Sequence, residues 1–286
     1  MSGSVDRAAM DVEGRGLKGR TRGVNARRTG WRRWVLRSLA VLTLAALLAA
    51  TSACGQDEGA AASRDLRVFA AASLTEAFTE LGDAFMAEHP DVKVTFVFGA
   101  SSDLARQIEE GAQADVLATA DKETMAGVAD AVDPRVFVRN RLTIVVAPGD
   151  PLAIHALEDL AKPDVKVVLA APEVPAGRYA ERILDGQGVV VEPVSYEATV
   201  KSVVTKVSLG EADAGIAYVT DVAAAGGEVD EVPIPIAENV IAAYPIATLA
   251  GSQAGAEAQA FVDFVLSDAG QKIMKTYGFL PRPTAR

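Results

Sequence analysis

From Leu66 onward the sequence alternates short runs of β-like residues with stretches of helical period, and this alternation constrains the fold more than any other feature. Leu66 to Ala70, Val92 to Phe98, Asp115 to Thr119, Leu142 to Ala147, Val165 to Ala170, Ala214 to Val219 and Ile241 to Leu249 read as strands. Between the first two, Leu74, Ala77, Phe78, Leu81 and Phe85 recur at the spacing of one helix face. A second helix opens near Ser101, carries Leu104, Ala105 and Ile108, and stops at Gly111. A third starts at Pro175, a favoured first-turn residue, with Tyr179 and Ile183 on one face. A fourth shows Val200, Val203, Val204 and Val207 before Gly210, and Phe261, Phe264 and Val265 mark one more near the C-terminus. Such alternation predicts an α/β protein with parallel sheets covered on both faces. No repeat of fixed period is present, and elements this short in a chain of 286 residues predict two sheets rather than one large core.

In α/β sheets, ligands bind beyond the carboxyl ends of the strands, where the next helices present their N-termini. Three of those junctions are built of small residues: Ala70-Ala-Ala-Ser73, Gly99-Ala-Ser-Ser102 and Val174-Pro-Ala-Gly177. None holds Lys, Arg or His. A helix start leaves backbone N–H groups without partners and carries partial positive charge, which suits an anion. Small side chains allow close approach, and a serine adds a hydroxyl donor at the same radius. The competing reading is local, since Ser73-Leu-Thr-Glu76 also matches a capping box, in which Ser73 would only serve its own helix.

Charge is unevenly divided. Residues 1 to 53 hold ten of the 28 Lys/Arg against three of the 38 Asp/Glu, which leaves 18 basic and 35 acidic residues for the remainder. An acidic body excludes nucleic acid as the expected partner. The basic head runs into Ser38 to Ala53, an apolar stretch too short for a typical membrane span and suited to a signal-peptide core. It ends at Cys54, the only cysteine, so no intramolecular disulfide can form. The pattern resembles a bacterial lipoprotein signal with Cys54 as the lipidated residue, although Thr51 stands where such signals usually carry Leu. An ordinary secretory signal is the other reading. Arg32-Arg33 is similar to a twin-arginine export signal. Residues 54 to 65 then read as a flexible polar tether.

Several segments together identify a family resemblance. Phe69-Ala-Ala-Ala-Ser-Leu74, Gly99-Ala-Ser-Ser-Asp-Leu-Ala-Arg-Gln-Ile108, Gly111-Ala-Gln-Ala-Asp-Val116 with Ala120-Asp121, and Val174-Pro-Ala-Gly-Arg-Tyr-Ala180 resemble the periplasmic molybdate-binding proteins of ABC importers. Gly215-Ile-Ala-Tyr-Val-Thr-Asp221, Tyr244-Pro-Ile-Ala247 and Lys275-Thr-Tyr-Gly-Phe279 continue the match in order to Pro281. The resemblance implies two Rossmann-like α/β lobes of the type II periplasmic binding protein architecture, joined by two crossover strands near Leu142 to Ala147 and Ile241 to Ile246, with the ligand in the cleft. Residues 66–144 with 246–286 would form one lobe and 145–245 the other. It implies molybdate or tungstate as ligand, an ABC permease with its ATPase as partner, no cofactor, no enzymatic activity, and a monomer held outside the cytoplasm by its lipid. The family's ligand positions fall on Ser73 and Ser101 in the first lobe and on Ala176, Val200 and Tyr218 in the second. Molybdenum would be held only through the oxyanion's oxygens. Asp103, two residues after Ser101, is more acidic than the family pattern and is expected to face solvent, where it favours the helix dipole.

Other classes remain open at this point. Sulfate or phosphate could occupy a similar site, and Tyr179, Tyr196 and Tyr218 leave a ferric site possible. A secreted hydrolase is the remote alternative. His89 and His155 are the only histidines, no nucleophile elbow accompanies them, and both are expected at the surface.

Overall fold

The computed structural model describes residues 64–283. Cys54, the apolar run before it and the arginine pair lie outside these residues. Strand β1 (Arg64–Ala71) leads through a single 3-10 turn (Ala72–Leu74) into helix α1 (Thr75–Glu88). Then follow β2 (Val92–Gly99), α2 (Ser101–Glu109), β3 (Val116–Ala118), α3 (Lys122–Gly127) and the long β4 (Ala131–Val146). The second half runs through β5 (Val167–Ala170), α4 (Pro175–Gln187), β6 (Ser195–Glu197), α5 (Val200–Ser208), β7 (Ala214–Tyr218), α6 (Val219–Ala224) and β8 (Asp230–Pro233). Strand β9 (Ile241–Leu249), helices α7 (Gly255–Leu266) and α8 (Asp268–Thr276), and the short β10 (Leu280–Pro281) complete the chain. No helix among the described residues is long and apolar enough to cross a membrane.

The strands form two lobes of type II binding-protein architecture along one hydrogen-bonded path, β2-β1-β3-β9-β4-β7-β5-β6. The expected parallel sheets are in fact mixed. Parallel pairs β1–β2, β1–β3, β5–β6 and β5–β7 form the outer parts. Between them, β3–β9, β9–β4 and β4–β7 pair antiparallel. Strand β4 makes the join: through Arg141 it pairs with β9, and from Leu142 onward with β7. All of β9 pairs within the first sheet, so the second crossing falls in the connection that precedes it. The predicted tether is two residues too long, because Arg64 and Asp65 already pair with Val92 and Lys93.

Apolar spacing explains the packing. Helix α1 buries Ala77, Phe78, Leu81, Gly82 and Phe85, as its period requires. The ring of Phe78 meets Phe96, Phe137 and Phe261 at centroid distances of 6.1, 5.7 and 6.2 Å, in the tilted and edge-on arrangements that aromatic quadrupoles favour. In the other lobe the stripe Val200, Val203, Val204 and Val207 of α5 is buried. Helix α4 approaches the end of β5 so closely that a Cβ on Gly177 would lie 2.1 Å from the Ala171 carbonyl oxygen. Only glycine permits that seating, and it brings the start of α4 to the edge of the cleft.

Candidate functional site

Three helix starts and the segments at the ends of three strands meet in a single pocket between the lobes. Ala71, Ala72 and Ser73 reach it from the end of β1, Gly99 to Ser101 from the start of α2, and Ala120 from the end of β3. Val174, Pro175 and Ala176 enter from the start of α4, Val200 from the start of α5, and Tyr218 from the end of β7. All five residues singled out from the sequence, Ser73, Ser101, Ala176, Val200 and Tyr218, therefore line one space. The room left is small, with the centre of a water-sized body free to move within about 10 Å³. That is the scale of one water or one small ion.

The residues around this space bring helix-start amides and the hydroxyls of Ser73, Ser101 and Tyr218, and none has a charged side chain. In α2 the first helical bond runs from Leu104 N–H to the Ala100 carbonyl at 3.0 Å, so the N–H groups of Ser101, Ser102 and Asp103 precede the ladder. In α4 the first is Arg178 N–H to Val174, at 3.0 Å. Pro175 has no N–H, which makes Ala176 the first donor of that helix. In α5, Thr199 caps Ser202 N–H at 3.1 Å and leaves the N–H groups of Val200 and Lys201 ahead of it. Ser101 Oγ accepts the Ala120 N–H at 3.0 Å, and a backbone N–H can only donate. The Ser101 proton is thereby free for the pocket.

Ser73 does not cap its helix. The 3-10 turn that carries it has no side-chain cap, and neither has α1. Its hydroxyl instead lies 3.0 Å from Tyr244 Oη, and both residues are buried. The Tyr218 hydroxyl is buried without any hydrogen-bond partner. Burial, with Tyr244, Tyr179 and Asp221 nearby, holds the Tyr218 phenol well above its ordinary range, so it stays protonated and able to donate. An orphaned buried hydroxyl facing a pocket is a group left open for a ligand that hydrogen-bonds to it.

No Lys, Arg or His lines the space. The cations around it are already paired across the cleft: Arg178 of α4 with Asp121, Lys201 of α5 with Glu76 at 2.7 Å, and Arg182 with Glu123 at 3.0 Å. Asp103 turns away to Arg106 at 2.8 Å, as expected of a solvent-facing carboxylate. The ferric alternative loses its tyrosines, since Tyr196 is 53% exposed on the edge strand β6 and Tyr179 is absent from the pocket lining. No group of three or more His, Cys, Asp or Glu among the described residues could hold a metal ion. His89 stacks on Phe85 at 4.3 Å and His155 is exposed, so neither supplies a hydrolytic base to the pocket.

Sequence reading missed Tyr244 and Asn140, which stand behind Ser73, and the Arg178–Asp121 pair. The motifs that carry Tyr244, Arg178 and Asp121 were visible, but hydrogen bonding between residues 57 to 171 positions apart leaves no periodic signal. Asp221, in the first turn of α6, is a further buried group. Neither carboxylate oxygen has a partner, and burial, opposed by Lys201 and reinforced by Glu76, raises it from the ordinary 3.8 to about 7.

Two α/β lobes closing on a small pocket define a solute-binding protein. Residues 66–280 match the bacterial extracellular solute-binding protein family, and the chain belongs to that family. Within it, the chain is 40% identical over 258 residues to the molybdate-binding protein ModA of Mycobacterium tuberculosis, covering 86% of this chain and 98% of that one. Among solved structures, the periplasmic molybdate-binding protein of Azotobacter vinelandii superposes with a TM-score of 0.68 at 18% identity, over 76% of this chain and 100% of that one. The sulfate-binding protein SubI of M. tuberculosis gives the same TM-score at 22% identity, over 76% and 87%. These two likenesses concern the fold.

Proposed function

We propose that this protein captures molybdate outside the cytoplasm and delivers it to an ABC importer, with Ser73, Ser101, Ala176, Val200 and Tyr218 as the ligand residues. The observation that carries the reading is the pocket itself: one ion's worth of room, lined by small and hydroxyl-bearing residues at helix starts, with no Lys, Arg, His, Asp or Glu among them. Relatives named for molybdate support the choice of ion.

Serine and amide donors suit a tetrahedral dianion with no proton of its own, because such an ion only accepts. Each hydrogen bond to a charged partner contributes roughly 1.5 to 3 kcal/mol. Five residues offering about seven donors, counting amide and hydroxyl of each serine, can therefore offset much of the dehydration cost. Monohydrogen phosphate brings an O–H that finds no acceptor, a penalty of about 1 to 3 kcal/mol. Sulfate carries the right charge but is smaller, and its bonds to donors spaced for molybdate would be stretched. Tungstate shares the size and charge of molybdate and is expected to bind alike. The fold shared with a sulfate-binding protein makes sulfate the second reading.

Binding would draw the lobes together and present the closed form to a permease. Cys54 would tether the domain to the membrane by its lipid, with the protein acting as a monomer. The site assignment is tested by Ser101→Ala. It removes one charge-assisted donor and should weaken molybdate binding by about one to two orders of magnitude in calorimetric titration. Wild-type affinity in that variant would contradict the assignment.

A further inference from the structure

The hydroxyl of Ser73 can face the pocket as a donor or as an acceptor, and the structure holds the groups that decide which. Behind it stands a buried line of three side chains, Ser73, Tyr244 and Asn140, that are 4%, 0% and 1% exposed. Ser73 Oγ lies 3.0 Å from Tyr244 Oη, and distance alone permits either to donate. The direction is fixed from the far end. Arg141 N–H points at one side-chain atom of Asn140 at 2.9 Å. A backbone N–H only donates, so that atom is the amide oxygen. The NH₂ group must then occupy the other position, where it donates to Thr220 Oγ1 at 2.9 Å and lies 3.5 Å from Tyr244 Oη.

The last contact is too long to contribute much energy. Its consequence is polarity, for it sets a donor rather than an acceptor against Tyr244. The Tyr218 hydroxyl lies near Tyr244 without good hydrogen-bond geometry to it, whereas Ser73 Oγ sits at 3.0 Å from the phenol oxygen. Ser73 Oγ is the acceptor that remains. Burial holds the Tyr244 phenol well above its ordinary range, which keeps that proton in place at neutral pH.

We infer that Asn140 and Tyr244 are specificity-determining positioning residues, which set the Ser73 hydroxyl as a donor and so exclude oxyanions that still carry a proton. Neither residue belongs to the pocket lining. Strand pairing makes the arrangement possible: Asn140 on β4 faces Ala242 and Tyr244 on β9 faces Val138, which puts the two as diagonal neighbours across the ladder. Ser101 is polarised more directly, by the Ala120 N–H. With both serines so fixed, each has its hydroxyl proton left for the pocket.

This inference rests on the oxyanion reading and is tested separately from it. Tyr244→Phe removes the donor to Ser73. Asn140→Asp replaces the amide donor beside Tyr244 with an acceptor, which draws the phenolic proton away and turns Ser73 toward accepting. Each variant and the wild type would be titrated with molybdate and with inorganic phosphate in mildly alkaline buffer, where phosphate is mainly the monohydrogen dianion. Molybdate reports whether the variant is folded and its donors intact. The ratio of phosphate to molybdate association constants should rise about tenfold to a hundredfold in either folded variant, the worth of an O–H that gains an acceptor. An unchanged ratio in a variant that still binds molybdate overturns the inference and leaves the oxyanion reading standing. Failure of the wild type to bind molybdate would contradict that reading, and the inference would fall with it.

Discussion

At the scale of single residues, the site is a set of small side chains that keep out of the way and a few hydroxyls whose protons have nowhere else to go. Alanine and glycine around Ser73 and Ser101 expose backbone N–H groups, and Pro175 makes Ala176 the first donor of its helix. Asp221 is the residue with the clearest pH signature. Its folded value of about 7 lies above the ordinary 3.8, so the folded state holds a proton that the unfolded chain releases near pH 4. The stabilisation linked to that proton is complete below about pH 4 and is lost as pH rises to about 7. Thermal unfolding of the wild type should therefore show a falling Tm between about pH 5 and 7 relative to Asp221→Asn, which has no such proton to lose. Parallel pH profiles for the two proteins would contradict the assignment. At this scale the sequence revealed which residues are small and which carry hydroxyls. It did not reveal that Ser73 answers to Tyr244 rather than to its own helix, because a capping box and a long-range hydrogen bond look the same along the chain.

At the scale of elements, helix starts bring backbone N–H groups to the pocket and ion pairs join helices across the cleft. Arg178 is the pair to test, since its side chain is 19% exposed and that of Asp121 only 5%. Asp121 also caps α3 by accepting the Thr124 N–H at 2.9 Å, so its carboxylate is tied to one lobe while Arg178 reaches it from the other. Breaking a largely buried pair leaves a charge uncompensated, which costs far more than losing an exposed one. Lys201 and Glu76, at 31% and 40%, form a pair of the exposed kind, worth about 0 to 1 kcal/mol. Arg178→Ala should accordingly raise the molybdate dissociation rate about tenfold or more without changing ion preference, whereas Lys201→Ala should change it little. Stopped-flow dissociation distinguishes them, and equal effects would refute the ranking. The strands legible in the sequence were those rich in β-branched and aromatic residues, such as Val92 to Phe98, where Lys93 and Thr95 alternate with apolar residues, and Ile241 to Leu249. The first half of β4 was not, because Asp133, Pro134, Arg135 and Asn140 interrupt its pattern and its pairing with β9 shifts register between Val132 and Arg135. Strand β6 is three residues long and half polar, and α6 follows β7 without a break, so its first residue, Val219, read as the end of the strand.

At the scale of the whole molecule, the account is one of an acidic body that attracts no anion at long range but encloses one between two lobes. With 35 acidic against 18 basic residues after position 53, long-range steering would slow a dianion, so affinity must come from short-range donors. The α/β class and the division into two sheets were legible from the alternation of short elements, the two-lobe architecture from the family resemblance, and the mixed sheet was not legible because alternation says nothing of strand direction. The central claim is that neutral donors alone select a small, fully deprotonated oxyanion. Calorimetric titration of the domain with molybdate, tungstate, sulfate and phosphate in one buffer tests it most directly. The account predicts tight and similar binding of molybdate and tungstate, weaker binding of sulfate, and no detectable heat from phosphate. Phosphate binding as tightly as molybdate, or no binding of any of the four, would contradict it.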